Sequence, residues 1–264
     1  MTDVLAATGI THRYPRTRRH TAAVQAVPAL DDVSFHVGAG ETVGIVGRSG
    51  SGKSTLLTTL LALGRPDEGT VTLAGRPVQL GSVRRLRWFR RRVQYVPQDP
   101  GASLDPRMTV EQLVREPLKR LDVPGDHRTL VRAALDDVSL DTGLSDRRPR
   151  ELSGGQAQRV AIARALATNP DFLLADEPIS GLDLPMRNHV IGLLAALADE
   201  RSFGLVFISH DLDAVARMCQ RSVVLSHGRI VEEGDTRLLF AAPTHPATQE
   251  LVDSIPRLPE VRAK

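Results

Sequence analysis

The chain has 264 residues, of which 41% are hydrophobic and 25% are charged, a composition typical of a globular protein with a substantial core. Its formal net charge of +3 is too small to indicate nucleic acid as a partner. The longest apolar runs, such as residues 193–198, fall far short of the ~20 residues that span a bilayer, and no secretory signal is visible, so we expect a cytosolic protein.

Short apolar runs alternate with longer helical patterns along the chain, which predicts an α/β protein with a mainly parallel sheet. The predicted buried strands are Thr42 to Val46, Val93 to Val96, Phe172 to Ala175 and Leu205 to Ser209. Between Met108 and Leu140, helical patterns follow one another without strands and predict a helical insertion. The lone Cys219 excludes intrachain disulfides and is expected to be a small buried or half-buried residue on a helix. A hairpin turning at His227 and Gly228 and a Pro-containing tail follow.

The first predicted strand leads into a glycine-rich loop. TVGIV is followed by GRSGSGKST and then by the helical pattern LLTTLLAL, which fits G-x-x-x-x-G-K-[ST] in the required order. Glycines let such a loop wrap its N–H groups around phosphate oxygens at a helix N-terminus. Lys53 would place a positive charge near the β and γ phosphates of ATP, and Ser54 would offer a hydroxyl to Mg²⁺. The predicted ATP-binding residues of this loop are Gly47, Ser49, Gly50, Ser51, Gly52, Lys53, Ser54 and Thr55.

An arginine-rich run, RRLRWFRRR at residues 84–92, could be taken for a nucleic-acid-binding segment because basic residues there are interleaved with aromatic ones. A solvated amphipathic helix explains the same pattern, and we favour that interpretation.

Two carboxylates end the apolar strand FLLAD. In a chain that already carries a phosphate loop, this arrangement predicts that Asp176 holds Mg²⁺ through water and that Glu177 polarises the attacking water. The alternative is that both residues merely cap the next segment.

A second anion site is predicted at LSGGQ, where a Ser hydroxyl and Gly amides precede the helical pattern Ala157 to Ala167. With QRVAIARAL behind it, this motif resembles the signature of the ATP-binding subunits of ABC transporters. The resemblance implies a P-loop NTPase (RecA-like) core with a mainly parallel sheet, an antiparallel β subdomain and an inserted α-helical subdomain. It also implies a head-to-tail dimer in which Ser153, Gly154, Gly155 and Gln156 of one subunit cover the γ-phosphate held by the other.

Other positions match the same family. The resemblance implies that Gln98 senses Mg²⁺ or the attacking water, that His210 contacts the γ-phosphate and that Tyr14 stacks on adenine. Asp183 matches the aspartate of the family's D-loop, in which Gly181 replaces the usual Ala and is expected to loosen the loop slightly.

Three further stretches are similar to ATPases of peptide and nickel importers: QDPGASLDPRMT after Gln98, PTHPAT near the end, and Tyr14-Pro15 followed by a basic insertion. Within that group the chain looks more like the second, F-type member. The implied partners are a second ATPase subunit or a second copy, two transmembrane permease subunits and, indirectly, an extracytoplasmic substrate-binding protein. We expect no nucleic-acid partner and a peripheral location on the cytoplasmic face of the membrane.

The implied organisation is an ATP-binding domain at 1–240, with a helical subdomain inserted at about 99–165, and a family tail at 241–264. One functional alternative stays open, an ABC-type ATPase subunit of a soluble enzyme complex such as one of phosphonate metabolism. A ribosome-associated ATPase is not favoured, because 264 residues do not hold tandem ATPase domains.

Overall fold

The computed structural model describes residues 3–14 and 27–254 of the chain. The basic insertion predicted after Tyr14-Pro15 and the last ten residues of the predicted tail lie outside this part. The helices have these bounds: α1 Lys53–Leu60, α2 Val83–Arg92, α3 Pro100–Ser103, α4 Val110–Arg120, α5 His127–Asp137, α6 Gly154–Leu166, α7 Leu184–Arg201, α8 Leu212–Met218, α9 Thr236–Ala241 and α10 Pro246–Asp253.

The strands of the described residues form two sheets. The antiparallel sheet has the order β2-β1-β4-β5, with β1 Val4–His12, β2 Leu30–Gly38, β4 Glu68–Leu73 and β5 Arg76–Pro77. The second sheet has the order β10-β9-β3-β8-β7-β6, with β3 Thr42–Val46, β6 Val93–Val96, β7 Phe172–Asp176, β8 Gly204–Ile208, β9 Arg221–Ser226 and β10 Arg229–Asp235. All pairs in this sheet are parallel except β9–β10, so the predicted α/β class with a mainly parallel sheet is confirmed.

The parallel sheet is covered on both faces, because successive side chains of its strands enter two different cores. In β8, Leu205 and Phe207 pack with the helices α4 to α7, whereas Val206 and Ile208 pack with α1, α2 and the antiparallel sheet. Every residue of β8 is buried, as expected for a strand of a parallel sheet between two layers.

The predicted strands agree with the structure to within one residue at each end, and the hairpin at His227 and Gly228 is confirmed. Helices α4 and α5 confirm the predicted helical insertion, and α2 confirms the helix in the arginine-rich run. One boundary was wrong, since α6 begins at Gly154 rather than Ala157. Ser153 and Gln156 cap that helix reciprocally, so it starts within the signature itself.

Cys219 is buried, as predicted, but it lies directly after the end of α8 and not on the helix, because its backbone is already extended. Burial raises the pKa of its thiol. Among residues 3–14 and 27–254, no helix is long and apolar enough to cross a membrane.

Candidate active site

The glycine-rich loop joins β3 to α1 at the carboxyl edge of the parallel sheet. A Cβ at residue 47 would lie 2.3 Å from the Leu225 carbonyl oxygen, and one at residue 52 would lie 2.7 Å from the Ala29 carbonyl oxygen. Gly52, which precedes α1, has a φ of 112° and no side chain caps that helix start. The N-terminal amides of α1 therefore remain available to an anion at the end where the helix dipole favours one.

Lys53 lies folded over this loop. Its Nζ donates to the Gly47 carbonyl oxygen at 2.6 Å and to the Arg48 carbonyl oxygen at 3.1 Å. Burial lowers the pKa of Lys53, and the negative charges of Glu177 and Asp176 partly oppose this. The ammonium group of Lys53 thus lies between the glycine-rich loop and the carboxylates of Asp176 and Glu177.

The two carboxylates lie at the end of β7, beside the loop. Burial, followed by the charge of Glu177, raises the pKa of Asp176, whereas a hydrogen bond from Tyr95 and the charge of Lys53 act in the opposite direction. The Tyr95 hydroxyl lies 3.5 Å from Asp176 Oδ2, and burial together with this carboxylate raises the pKa of Tyr95 to about 12. A nearby cation would favour the ionised form of Asp176.

Glu177 has a left-handed backbone, with a φ of 46°, and its amide donates to the Ile208 carbonyl oxygen at 2.8 Å. Its Oε2 lies 2.7 Å from His210 Nδ1, so the ends of β7 and β8 bring the two side chains together. A non-glycine residue in this conformation is strained, and such strain commonly occurs at functional sites.

A second ion pair lies next to His210. Asp211 Oδ2 accepts from Arg187 Nη1 at 2.8 Å, Asp211 Oδ1 accepts from the Ala214 amide and caps α8, and the Asp211 amide donates to Ser209 Oγ. Arg187 lies one turn into α7, whose first residue follows Asp183. The pair therefore ties the start of α7 to the segment that carries His210.

These elements surround one cleft with a volume of about 1000 Å³. Twelve of the predicted site residues line it: Tyr14, Gly47, Ser49, Gly50, Gly52, Lys53, Ser54, Thr55, Gln98, Asp176, Glu177 and His210. Ser51 does not line the cleft, and its side chain is buried. The Tyr14 ring is exposed at the cleft and its hydroxyl lies 3.2 Å from Thr55 Oγ1.

The signature and Asp183 lie outside this cleft. Asp183 Oδ1 accepts from the Met186 amide and caps α7. A Cβ at residue 155 would lie 2.5 Å from Met186 Cε, so the starts of α6 and α7 are in close contact. Gly181 has a φ of +73°, a conformation that would cost an alanine about 1–2 kcal/mol.

Several cleft residues were missed in the sequence. Arg48, Arg187 and Asp211 carry charges at the cleft, and Leu251 and Ser254 reach it from α10. The tail motif PTHPAT and the charged residues themselves were visible, but nothing in their spacing indicated that they meet the phosphate loop.

The predicted magnesium ligands fit that ion chemically. Ser54, Gln98 and Asp176 offer a hydroxyl, an amide and a carboxylate oxygen in one cleft, and Mg²⁺ prefers oxygen ligands. Within the described ranges there is no cluster of three His, Cys, Asp or Glu side chains that could hold a metal by itself.

The family described as "ABC transporter" matches residues 30–180. A "Putative peptide import ATP-binding protein" of Brucella ovis is 42% identical over 257 residues, which cover 97% of this chain and 79% of that protein. The "Putative oligopeptide transport ATP-binding protein YkfD" of Bacillus subtilis is 42% identical over 233 residues, covering 87% of this chain and 71% of that protein.

Solved structures agree with these relatives. A dimeric ATP-binding cassette in a post-hydrolysis state, bound to ADP and Pi, superposes with a TM-score of 0.77 at 30% identity, covering 88% of this chain and 99% of that one. The cbiO1 protein of Clostridium perfringens, described as part of the transporter complex cbiONQ, has a TM-score of 0.78 at 27% identity, covering 91% of this chain and 92% of that one. The chain therefore belongs to the ABC transporter family, as one of its ATP-hydrolysing subunits.

Proposed function

We propose that this chain energises an ABC importer for peptides or for nickel and other metal chelates, by binding and hydrolysing ATP on the cytoplasmic face of the membrane. The relatives described above are named for peptide and oligopeptide import, which supports this cargo class. Those names also favour an importer over the subunit of a soluble enzyme complex.

One observation carries the proposal for the chemistry: the His210 Nδ1 to Glu177 Oε2 contact of 2.7 Å faces the same cleft as Lys53. In our mechanism, the amides of the glycine-rich loop and Lys53 hold the β and γ phosphates. Glu177 then orients a water for in-line attack on the γ-phosphate, and His210 holds Glu177 in place and contacts the phosphate. Catalysis here is positioning and stabilisation of charge.

Mg²⁺ would be held by Ser54, by Asp176 through water and by Gln98, and it would neutralise charge that develops on the phosphate oxygens. Asp176 binds a cation most strongly when it is ionised. Burial and Glu177 make ionisation costly in the nucleotide-free protein. Lys53 partly offsets this cost, so the site is arranged for a cation that arrives with the nucleotide.

The second half of the site is supplied in trans. Ser153 to Gln156 and Asp183 lie outside the chain's own cleft, while Tyr14 lies at its edge and is proposed to stack on adenine. A partner ATPase, either a second copy or a different ATPase subunit of the same group, would therefore place its signature over the nucleotide held here. Two permease subunits would receive the motion through the segment from Gln98 to Met108, and a substrate-binding protein would act through them.

The proposed organisation keeps residues 1–240 as the ATP-binding domain, with about 99–165 as its helical subdomain and 241–264 as a family tail. Helices α3 to α6, which lie between β6 and β7, support the inserted subdomain.

Copurification tests the biological assignment. A tagged full-length chain extracted in mild detergent should bring down two integral membrane permeases and a second ABC ATPase. Recovery of a soluble lyase complex without membrane proteins would refute the importer and favour the enzyme-complex alternative.

A further inference from the structure

The tail motif PTHPAT has a clear structural role, although the proposed chemistry does not use it. The Thr244 amide and hydroxyl donate to Glu232 Oε1 at 2.9 and 2.7 Å, and the His245 amide donates to Glu232 Oε2 at 3.1 Å. Burial acts to raise the pKa of Glu232, but the nearby Thr248 hydroxyl and the hydrogen bonds from Thr244 and His245 lower it to about 2. The carboxylate of β10 is thus ionised at neutral pH and anchors the start of α10.

His245 also fixes the direction of α10. Its Nδ1 accepts from the Ala247 amide at 3.1 Å and caps the helix, while Pro246 occupies the first helical position. Thr248 is fully buried, and Leu251 and Val252 pack against the core that the parallel sheet forms with helices α4 to α7. The helix is therefore a docked element of the domain rather than a loose appendage.

This anchoring brings the far end of α10 to the phosphate loop. Glu250 Oε2 lies 3.1 Å from Nη1 of Arg48, which is the second residue of the glycine-rich loop. Leu251 and Ser254 line the same cleft as Lys53 and Glu177. Leu251 and Ser254 therefore bring the end of α10 to the cleft surface, at the border of the helix face that packs against the core.

Arg48 can give up its contact with Glu250 for another anion at a small cost in free energy. Its two side chains are 77% and 62% exposed, and exposed ion pairs of this kind typically contribute only about 0.2–1 kcal/mol. A triphosphate on the loop would present several negative charges to Arg48, whereas Glu250 presents one. Arg48 can thus turn from α10 to a bound nucleotide without a large loss of stability.

We propose that α10 forms a wall of the ATP-binding cleft, with Leu251 and Ser254 facing the nucleotide and Glu250 acting on it through Arg48. The inference rests on the proposed ATP site and adds to it a tail helix that responds to nucleotide occupancy. Because a wall residue lies near the triphosphate, a charge placed there acts on ATP according to its sign.

The test is a charge reversal at Leu251, measured as ATP affinity by titration calorimetry on the full-length chain with Mg²⁺. Leu251→Asp should weaken ATP binding about fivefold or more, and Leu251→Lys should leave it equal or tighter. Gln249→Asp adds the same negative charge two residues away, where the residue is exposed and does not line the cleft, so it should change affinity less than twofold. Equal affinities of the Asp and Lys variants, whether unchanged or both reduced, would overturn the proposal.

Lys53→Ala separates this inference from the ATP site on which it rests. If the site is right, this variant loses ATP binding whatever happens at Leu251. ATP should also slow hydrogen exchange at the amides of α10 in the wild-type chain and not in Lys53→Ala. ATP binding that depends on Lys53 but leaves exchange in α10 unchanged would refute the wall and keep the site.

Discussion

Replacing Arg187 by Met should lower both the stability of the domain and its rate of ATP hydrolysis. The change removes the guanidinium that donates to Asp211 Oδ2 at 2.8 Å and keeps the apolar stem of the side chain. Asp211 then keeps its cap on α8 but loses its ionic partner, next to His210.

The expected loss of stability depends on how far the two side chains of the ion pair are exposed to solvent. Arg187 and Asp211 are 34% and 21% exposed, which places the pair between surface ion pairs and fully buried pairs, whose rupture costs 3–5 kcal/mol. We therefore expect a loss of about 1–2 kcal/mol in the free energy of unfolding. For a chain of 264 residues, that corresponds to a fall of about 2–4 °C in Tm.

The catalytic effect should appear in kcat rather than in KM for ATP, because the pair holds the segment of His210 and not the phosphate loop. A displaced His210 would no longer fix Glu177, and we expect about a tenfold fall in kcat. Steady-state phosphate release and thermal unfolding measure the two effects. Arg187→Lys, which keeps the charge, should recover part of both.

Arg217→Met is the matched control. Arg217 Nη1 donates to Asn188 Oδ1 at 2.8 Å, so it joins the same two helices farther from the cleft, and its loss should change neither Tm nor kcat appreciably. A lower Tm with unchanged kcat in Arg187→Met would refute the claim that the Arg187–Asp211 ion pair positions His210. An unchanged Tm would refute the estimated contribution of this ion pair to the free energy of unfolding.

Three further predictions concern the cleft itself. Glu177→Gln should still bind ATP but lose at least about 100-fold in phosphate release, since an amide cannot polarise water; undiminished turnover would remove Glu177 from the mechanism. Tyr14→Ala should raise KM for ATP about 5- to 160-fold if stacking contributes ~1–3 kcal/mol, whereas equal kinetics would leave Tyr14 as a partner of Thr55 only. Folding raises the pKa of Asp176, so its carboxylate destabilises the nucleotide-free chain increasingly as pH rises through that pKa. Asp176→Asn should therefore raise Tm at pH 8, and the gain should shrink as pH falls below the raised pKa of Asp176 in the folded chain; a pH-independent change in Tm would contradict this sign.

The parts of the site that lie within one short stretch could be predicted from the sequence. The loop around Lys53, the carboxylates after β7 and His210 after β8 each follow a recognisable strand, and parallel strands bring their carboxyl ends to one edge. The contact between Glu177 and His210 follows from this rule, because β7 and β8 are neighbours.

The contacts that join distant stretches could not be predicted. Arg48 and Glu250 are 202 residues apart, and Arg187 and Asp211 are 24 apart on different elements, so no period or spacing marks either pair. The start of α6 was missed for a different reason: glycines at 154 and 155 are poor helix formers, but the reciprocal cap of Ser153 and Gln156 outweighs that preference.

The contact between residue 155 and Met186 has a mechanical consequence. With no side chain at Gly155, the Met186 side chain of α7 packs directly on the first turn of α6, so the signature and the segment of Asp183 share one packed surface. In the proposed dimer, a nucleotide held by the partner would therefore meet both motifs together. A bulkier residue at 155 would first displace the Met186 side chain, and so would alter the spacing of the two motifs before it changed any atom proposed to contact ATP.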